Sequence, residues 1–170
     1  MDPNRTHVSV VLVLVCTLIC FFAAPKSTQG QSLKGLHGVG IVIDYLGPIE
    51  KNLGLTSESL SNEILVALKR DLPKLKVEPS GTSSYVYLTL ASVEARNPVA
   101  TFGVATSVTV SLRRPVEIIG DDGRRYFTFA TAWARTGIVI DSIPDVASDV
   151  RDQISKFVTA LAGQYYKDNP

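Results

Sequence analysis

The chain has 170 residues, of which 45% are hydrophobic and 19% are charged. This composition fits one globular domain and excludes an intrinsically disordered protein or a pair of ordinary domains. The 17 basic and 16 acidic residues give a formal net charge of +1, which excludes a global field that would attract nucleic acid or an anionic membrane.

The first element along the chain is an apolar segment at the N-terminus. Arg5 precedes an uninterrupted apolar run at residues 8–24, and small and polar residues follow at 25–30. This order is typical of a secretory signal peptide, with cleavage after Gly30. The run of about 17 residues also approaches the lower limit for a membrane-spanning helix, so a retained anchor is the alternative.

We therefore predict three parts in the chain: a signal peptide or membrane anchor at 1–30, a flexible linker at 31–38, and a single domain at 39–170. The domain is expected to be exported, either periplasmic or secreted, or held at the membrane by residues 8–24. Both cysteines, Cys16 and Cys20, lie in the apolar run. The domain would then have no disulfide and no thiol nucleophile.

The first strand and the first helix of the domain have clear boundaries. A β-branched run at residues 39–46 predicts a strand, which Gly47-Pro48 closes. Thr56 can cap the helix that follows, and Pro73 ends it. At 100° per residue, the apolar residues of this helix fall on one arc: Leu60, Ile64, Leu65, Leu68 and Leu72.

Three more strands and a second helix follow. Alternation with a period of two predicts strands at 83–95, 104–119 and 125–140, and Asp121-Asp122-Gly123 supplies a hairpin turn between the last two. Ser142 and Asp145 resemble a capping box at the start of the last helix. The apolar residues of that helix lie on one arc: Val146, Val150, Ile154, Phe157, Leu161 and Tyr165.

The element order β-α-β-β-β-α predicts an α+β protein with a two-layer sandwich. We expect a four-stranded, mainly antiparallel sheet with two helices on one face. The other face would stay bare unless a partner, a second copy or the N-terminal segment covers it.

The sequence shows no convincing catalytic, metal or cofactor site. His37 is the only histidine outside the N-terminal segment, and Gly35, Gly38 and Gly40 precede a strand, whereas a phosphate-binding loop follows one. Four aspartates, spaced three and four residues apart along the last helix, are expected to form a solvated face and not a calcium loop: Asp141, Asp145, Asp149 and Asp152. We predict no catalytic residue, no metal and no cofactor.

Arginines and aromatic residues near the hairpin are the candidate binding residues. A hairpin can gather Arg113, Arg114, Arg124, Arg125 and Arg135 at one edge, as a patch for an anionic glycan, a lipid head group or an acidic protein. The alternative is that they protect the edge strand and keep it soluble. We predict that Arg113, Arg124, Arg125 and Arg135, together with Trp133, bind a partner.

The last strand leaves open which of its sides meets the helices. Phe127, Phe129, Thr131 and Trp133 alternate with Tyr126, Thr128, Ala130 and Ala132. Large aromatic side chains are usually core, and we expect that here. If the alanines face the helices instead, the aromatic residues lie on the open face and form a binding surface.

Three stretches resemble a family of small exported bacterial α+β proteins of unknown function. They are Gly54-Leu55-Thr56 with its helix, Ala130-Thr131-Ala132-Trp133, and the ending from Phe157 to Tyr165-Tyr166 and Asn169-Pro170. The resemblance implies fold and export, and it carries no functional residue. The architecture is also similar to two envelope-assembly modules: the lipoprotein partner of the lipopolysaccharide translocon and the N-terminal domain of the Tol-system periplasmic protein.

We therefore expect a non-enzymatic binding or assembly module that acts through an open sheet face, a strand edge or the arginine-bearing hairpin. Its partner would be an envelope protein or a second copy of the chain. We expect no nucleic acid, and membrane contact only through an uncleaved N-terminal segment. A binder of a small apolar or anionic ligand is the first alternative, and a hydrolase that uses Ser, Asp or Glu is the second.

Overall fold

The computed structural model describes residues 33–78, 84–96 and 101–170, with only the backbone described at residues 101 and 102. The predicted signal or anchor segment lies outside the described residues. In the described part, no helix has the length and hydropathy needed to cross a membrane. The elements in chain order are β1 Gly38–Ile43, α1 Pro48–Asn52, α2 Ser57–Asp71, β2 Lys76–Val77, β3 Tyr85–Arg96, β4 Thr101–Ile119, β5 Arg125–Asp141 and α3 Ile143–Asp168.

The strands form one sheet in the order β2-β1-β3-β4-β5. β1 pairs in parallel with β2 and β3, whereas β3, β4 and β5 form an antiparallel meander. The predicted α+β class is confirmed, but the described part contains five strands and three helices instead of four and two. The two missed elements are β2, with two residues, and α1, with five residues that begin on Pro48. Both are too short for a periodic pattern to reveal them.

The start of α2 follows the sequence prediction. Thr56 Oγ1 accepts a hydrogen bond from the Ser59 amide at 3.1 Å, and Ser59 Oγ accepts one from the Thr56 amide at 3.3 Å. This reciprocal capping box satisfies two amides that the first helical turn leaves without partners.

The start of α3 differs from the prediction. Ser142 occupies the cap position, but its hydroxyl donates to the Asp145 carboxylate at 2.6 Å and makes no cap bond to a backbone amide. The predicted capping box is therefore wrong in its bonding. An acidic residue in the first turn still complements the helix dipole, and Asp145 has that position.

The core lies between the two long helices and one face of the sheet. α3 packs on β4 and β5, and α2 packs on β1 and on α3. The strand residues that point into this layer alternate along the sequence, and they are buried with the apolar arcs of the helices: Val86, Leu88, Val108, Val110, Leu112, Leu60, Ile64, Leu68, Val150, Ile154 and Leu161. Burial of each such side chain contributes about 1.5–3 kcal/mol before conformational entropy is counted.

The residues just before β1 are packed, although we predicted a flexible linker there. Leu33 is 0% exposed and belongs to the core. Its amide donates to Asp168 Oδ2 at 2.6 Å, and its carbonyl accepts from Asn169 Nδ2 at 3.2 Å. The end of α3 therefore holds residues 33–36 in place through bonds that span more than a hundred residues, which no local pattern announces.

Candidate functional site

β4 and β5 continue beyond the rest of the sheet as a two-stranded hairpin. β3 begins at Tyr85, which lies opposite Arg113, so the β4–β5 pairs from Arg114 and Ala130 outward have no third strand in the described part. We call residues 114–130 the arm. The six pairs of the arm extend about 20 Å at the rise of a β-strand.

The turn at the tip of the arm was correctly predicted. The Gly120 amide donates to the Arg124 carbonyl at 2.9 Å, and the Gly123 amide donates to the Gly120 carbonyl at 2.8 Å. Gly123 has a φ of +73°, in the left-handed region that glycine adopts without strain. The tip is therefore a tight polar turn.

A β-bulge separates the arm from the rest of β5. Leu112 lies opposite Trp133, whereas Arg113 lies opposite Thr131, so Ala132 is the extra residue. A bulge changes the face to which the following side chains point. Trp133 consequently packs against the core on the helix side, while Phe127 and Phe129 lie on the open side. The prediction that these aromatic residues share one side is therefore wrong.

The arm exposes large apolar side chains on both of its faces. On the open side Phe127 is 81% exposed and Ile119 is 70% exposed, and Phe129 is also exposed. On the other side Ile118 and Tyr126 are about half exposed. A contiguous group of exposed apolar residues is uncommon on a monomeric protein and typically marks an interaction surface.

An aromatic cluster with one arginine lies at the base of the arm on the open face. The rings of Tyr85 and Phe129 meet edge to face, with their centroids 4.9 Å apart. The Arg113 guanidinium carbon lies 3.9 Å from the centre of the Tyr87 ring, within the range of a cation–π contact. Arg113 Nε is buried and has no hydrogen-bond partner in the described part.

Asp44 adds a negative charge beside this cluster. Its Oδ1 accepts from the Tyr45 amide at 2.8 Å, and its Oδ2 lies 3.5 Å from Thr89 Oγ1. The Tyr45 amide is the main reason that the pKa of Asp44 lies below its usual value, and the Tyr87 hydroxyl, Thr89 and Arg113 act in the same direction. The hydrogen bond between the Tyr87 hydroxyl and the Asp44 carboxylate also raises the pKa of Tyr87. The middle of the open face therefore carries Asp44 and Arg113 with opposite charges.

The far end of the open face carries a second apolar group, which we call the far patch: Val93, Ile138 and Ile140. Val93 and Ile140 pair with Ala105 from its two sides, and Ile138 pairs with the next residue of that face, Ser107. Ile138 is 58% exposed and Ile140 is 75% exposed.

Small polar residues separate the far patch from the arm. Thr89, Thr109 and Thr136 form one row across the sheet, and Oγ1 of Thr109 and of Thr136 are 3.0 Å apart. Ser111 occupies the next row. On β4 and β5 the open face thus has two apolar ends and a polar middle, with the tyrosines of β3 beside that middle.

The five predicted binding residues do not form one patch. Arg124 and Arg125 lie at the tip of the arm, where Arg124 is 3.5 Å from Asp122 and Arg125 is 3.1 Å from Glu117. Arg113 lies at the base, about 20 Å away along the strand.

The remaining two predicted residues lie on the helix side of β5. Trp133 packs against the core, and Arg135 pairs with Val110, a core residue, although its own side chain is exposed at the sheet edge. The arginines are therefore dispersed, and those at the tip have acidic neighbours.

Sequence reasoning missed Asp44, Tyr85, Tyr87 and Ile119 as members of the open face. The predicted strand lengths contain a signal for the arm, because strand 104–119 is longer than strand 83–95. When two paired strands are both longer than the neighbouring strand, their additional residues extend beyond the sheet as a hairpin. Which side of the arm is open depends on the bulge at Ala132, and the sequence does not reveal that bulge.

A cleft of about 380 Å³ opens between α2 and the β1–β2 edge, away from the arm. Its walls mix apolar and polar side chains: Ile41, Ser61, Asn62, Leu65, Lys69, Val77 and Glu78. Among the described residues, no three His, Cys, Asp or Glu side chains are close enough together to hold a metal ion.

Glu50 is a buried carboxylate, 4% exposed, of the kind that the hydrolase alternative needs. It lies in α1, and its Oε2 is so near Gly47 that a Cβ at Gly47 would come within 2.8 Å of it. Glu50 is not among the residues that line the cleft under α2.

No protein-family model and no curated protein matches the chain. Among solved structures, a PelC dodecamer from Paraburkholderia phytofirmans, a single-substitution variant, is similar with a TM-score of 0.48 and 15% identity, over 81% of this chain and 95% of that chain. A minor lipoprotein from Acinetobacter baumannii has a TM-score of 0.37 and 11% identity, over 79% of this chain and 95% of its own. Rare lipoprotein B from Shewanella oneidensis has a TM-score of 0.29 and 7% identity, over 76% of this chain and 91% of its own.

Two of these three structural neighbours are bacterial lipoproteins. All three TM-scores are below 0.5, so no activity or partner of those proteins is transferred to this chain.

Proposed function

We propose that the chain is an exported, non-enzymatic binding or assembly module of the cell envelope, which acts through the open face of its sheet and through the arm. The observation that carries the proposal is the arm itself. It adds about 20 Å of hairpin beyond the sheet and exposes Ile118, Ile119, Tyr126, Phe127 and Phe129. Aromatic side chains such as Tyr126, Phe127 and Phe129 are enriched at the cores of protein interfaces.

The arm fits a protein partner better than a lipid bilayer. Its tip contains Asp121, Asp122 and Arg124, all exposed, beyond the apolar shaft. If the arm entered a bilayer tip first, these charges would have to pass into hydrocarbon, which costs several kcal/mol each. Against a protein surface, the shaft can be buried while the charged tip stays in water.

Export is supported by the N-terminal sequence, in which Arg5 precedes the apolar run at 8–24. The small-ligand alternative has less support. The cleft under α2 is open to solvent, whereas small-molecule sites usually enclose 70–90% of the ligand surface. It also lies away from Trp133 and the arginines.

Photo-cross-linking of the full chain in its native envelope tests the proposal. A photo-activatable amino acid would replace Phe127 on the open side of the arm and Ile118 on the other side. The matched control position is Val66, which is 62% exposed on α2, away from the arm. We expect discrete higher-mass adducts from at least one arm position and none from Val66.

Equal labelling from all three positions, or no adduct from either arm position, would contradict a binding role for the arm. Far-ultraviolet circular dichroism of each variant would show whether a missing adduct reflects loss of the fold. Because Phe127 and Ile118 lie outside the core, we expect both variants to fold.

A further inference from the structure

The two apolar groups on the open face have a geometric relationship that points to a specific partner. The open side of the arm carries Phe127 in the row of Glu117 and Phe129 in the row of Pro115. The far patch carries Ile140 in the row of Ala105 and Ile138 in the row of Ser107. These four side chains lie on β5, on the same face, at opposite ends of the strand.

We propose that the partner of the open face is a second copy of this chain, packed face to face with its strands antiparallel about a two-fold axis. This inference rests on the proposed function, because it names the partner of the same surface. The axis would pass through the row of Ser111. It would place Phe127 of each copy opposite Ile140 of the other, and Phe129 opposite Ile138. One self-complementary surface then covers both apolar groups, as a two-fold interface requires.

The charges on this face favour the same arrangement. With the axis at Ser111, the row of Arg113 lies opposite the row of Thr109 in the second copy. That row includes Thr89, and Asp44 lies 3.5 Å from the Thr89 hydroxyl. Arg113 of each copy would thus approach Asp44 of the other, twice by symmetry.

The exposed area is close to what a stable dimer needs. Taking roughly 200 Å² for each fully exposed side chain, the five apolar residues expose about 600 Å² per copy: Ile119, Phe127, Phe129, Ile138 and Ile140. A standard interface buries about 800 Å² per partner, and the threonine and serine rows between the two groups add to the total. Sheets that pack face to face lie about 10 Å apart. On β4 and β5 the middle rows carry only small side chains, Thr109 with Thr136 and Ser111 with Ala134, whereas Tyr87 of β3 lies beside Ser111.

Cysteine cross-linking tests the register of this interface directly. The experiment uses the full chain with Cys16→Ser and Cys20→Ser, which removes the native thiols. Phe127→Cys and Ile140→Cys are introduced separately, with different tags, and the two proteins are mixed and treated with a short bis-maleimide. In the proposed dimer these two positions are adjacent, whereas the two copies of residue 127 are about 40 Å apart.

We expect about tenfold more cross-linked dimer from the mixed pair than from Phe127→Cys alone. Val66→Cys, on the helix layer, is the control and should give no dimer. Association through residues 8–24 would not favour the mixed pair over the same-site pair, so it cannot imitate this result. Equal yields, or no product from the mixed pair, would overturn the proposal.

Failure of this inference is distinguishable from failure of the proposed function. If the arm positions give photo-adducts that contain another protein while the mixed cysteine pair stays uncross-linked, the binding module stands and the second copy is wrong. If neither experiment yields a product, both are wrong. Sedimentation of the full chain in mild detergent, with and without Phe127→Asp, gives an independent measure: we expect the substitution to convert dimer to monomer.

Discussion

The pair of Asp141 and Asp149, at the start of α3, is expected to make stability depend on pH. A hydrogen bond with Asp141 is the main reason that the pKa of Asp149 is raised, and burial and the charges of Asp141, Asp152 and Asp145 act in the same direction. The folded state is therefore more stable, relative to the unfolded state, when Asp149 is protonated than when it is ionised. Its favourable contribution is complete below the unfolded pKa, near 3.8, and is lost as the pH rises through the raised folded value.

We predict that Asp149→Asn raises the thermal unfolding midpoint at pH 7. The amide can donate to Asp141 as the protonated carboxyl does, and it removes one of the repelling charges. At pH 3, below the unfolded pKa, the difference from the parent protein should nearly vanish, because Asp149 is then mostly protonated in both states. Circular dichroism melts from pH 3 to 8 measure this.

Asp121→Asn, in the exposed hairpin turn, is the control, because it makes the same substitution far from Asp141 and Asp149. A lower midpoint for Asp149→Asn at pH 7 would mean that the four aspartates stabilise the start of α3 more than they repel one another. Asp145 and Asp152 are exposed, in line with the prediction of a solvated acidic face, but the spacing did not reveal the contact between Asp141 and Asp149.

At the scale of elements, Asp71 connects the end of α2 to α3. The Arg70 guanidinium donates to both carboxylate oxygens of Asp71, at 2.6 and 2.9 Å, and Thr159 Oγ1 donates to Oδ2 at 2.6 Å. These bonds, led by the one from Arg70, lower the pKa of Asp71 from 3.8 to about 2. The Tyr166 hydroxyl also donates to the Asp71 carbonyl at 3.0 Å. A single carboxylate thus joins two helices.

We predict that Asp71→Asn lowers the free energy of unfolding by about 1 kcal/mol at pH 7, a value reduced for the solvent that reaches the pair. Because the folded pKa is depressed, this stabilisation is present above the unfolded pKa and is lost as the pH falls from about 4 toward 2. Urea unfolding at pH 7 and at pH 2.5 would measure both values. The difference between variant and parent should shrink at the lower pH.

Thr159→Val is the matched variant for this contact. It keeps the Arg70–Asp71 pair and removes one donor, so its loss should be smaller than that of Asp71→Asn. Equal stability of Asp71→Asn and the parent protein at pH 7 would show that the pair contributes nothing measurable, as many surface ion pairs do.

Elements with a long periodic pattern were predictable from the sequence, and those determined by distant contacts were not. α2, α3 and the meander of β3, β4 and β5 follow from runs in which apolar residues repeat with the right period. β2 has only two residues and exists because β1 offers it an edge to pair with. The packing of Leu33 likewise depends on Asp168 and Asn169 at the other end of the chain.

The candidate site divides in the same way. The hairpin turn was predicted correctly. The grouping of the arginines was not, because Arg113 and Arg125 lie six residue pairs apart along the β4–β5 hairpin. The bulge at Ala132 determines that Phe127 is exposed while Trp133 packs on the core. One extra residue in a strand does not change the composition of the sequence, so the sequence does not reveal the bulge. A period of two that is continued through the bulge then assigns the residues beyond it to the wrong face of the sheet.

At the scale of the whole molecule, the arm is separate from the core that stabilises the fold. No residue from 114 to 130 belongs to the buried cluster of the described chain. The arm therefore adds exposed apolar surface and contributes little to stability. A segment of that kind is retained for contact with another molecule or is a liability for aggregation.

We predict that removing the arm leaves the fold intact and abolishes association. The variant deletes residues 116–128 and joins Pro115 to Phe129 through Asn-Gly, a pair that suits a two-residue hairpin turn. Because the deleted residues bury no core, the unfolding midpoint at low protein concentration should change by no more than a few degrees. Sedimentation and the cross-linking of Phe127→Cys with Ile140→Cys establish that the full chain associates. Sedimentation of the deletion variant should then show monomer only. A large fall in the midpoint would instead show that the arm is part of the folding unit, and its exposed apolar residues would then need an explanation within the monomer.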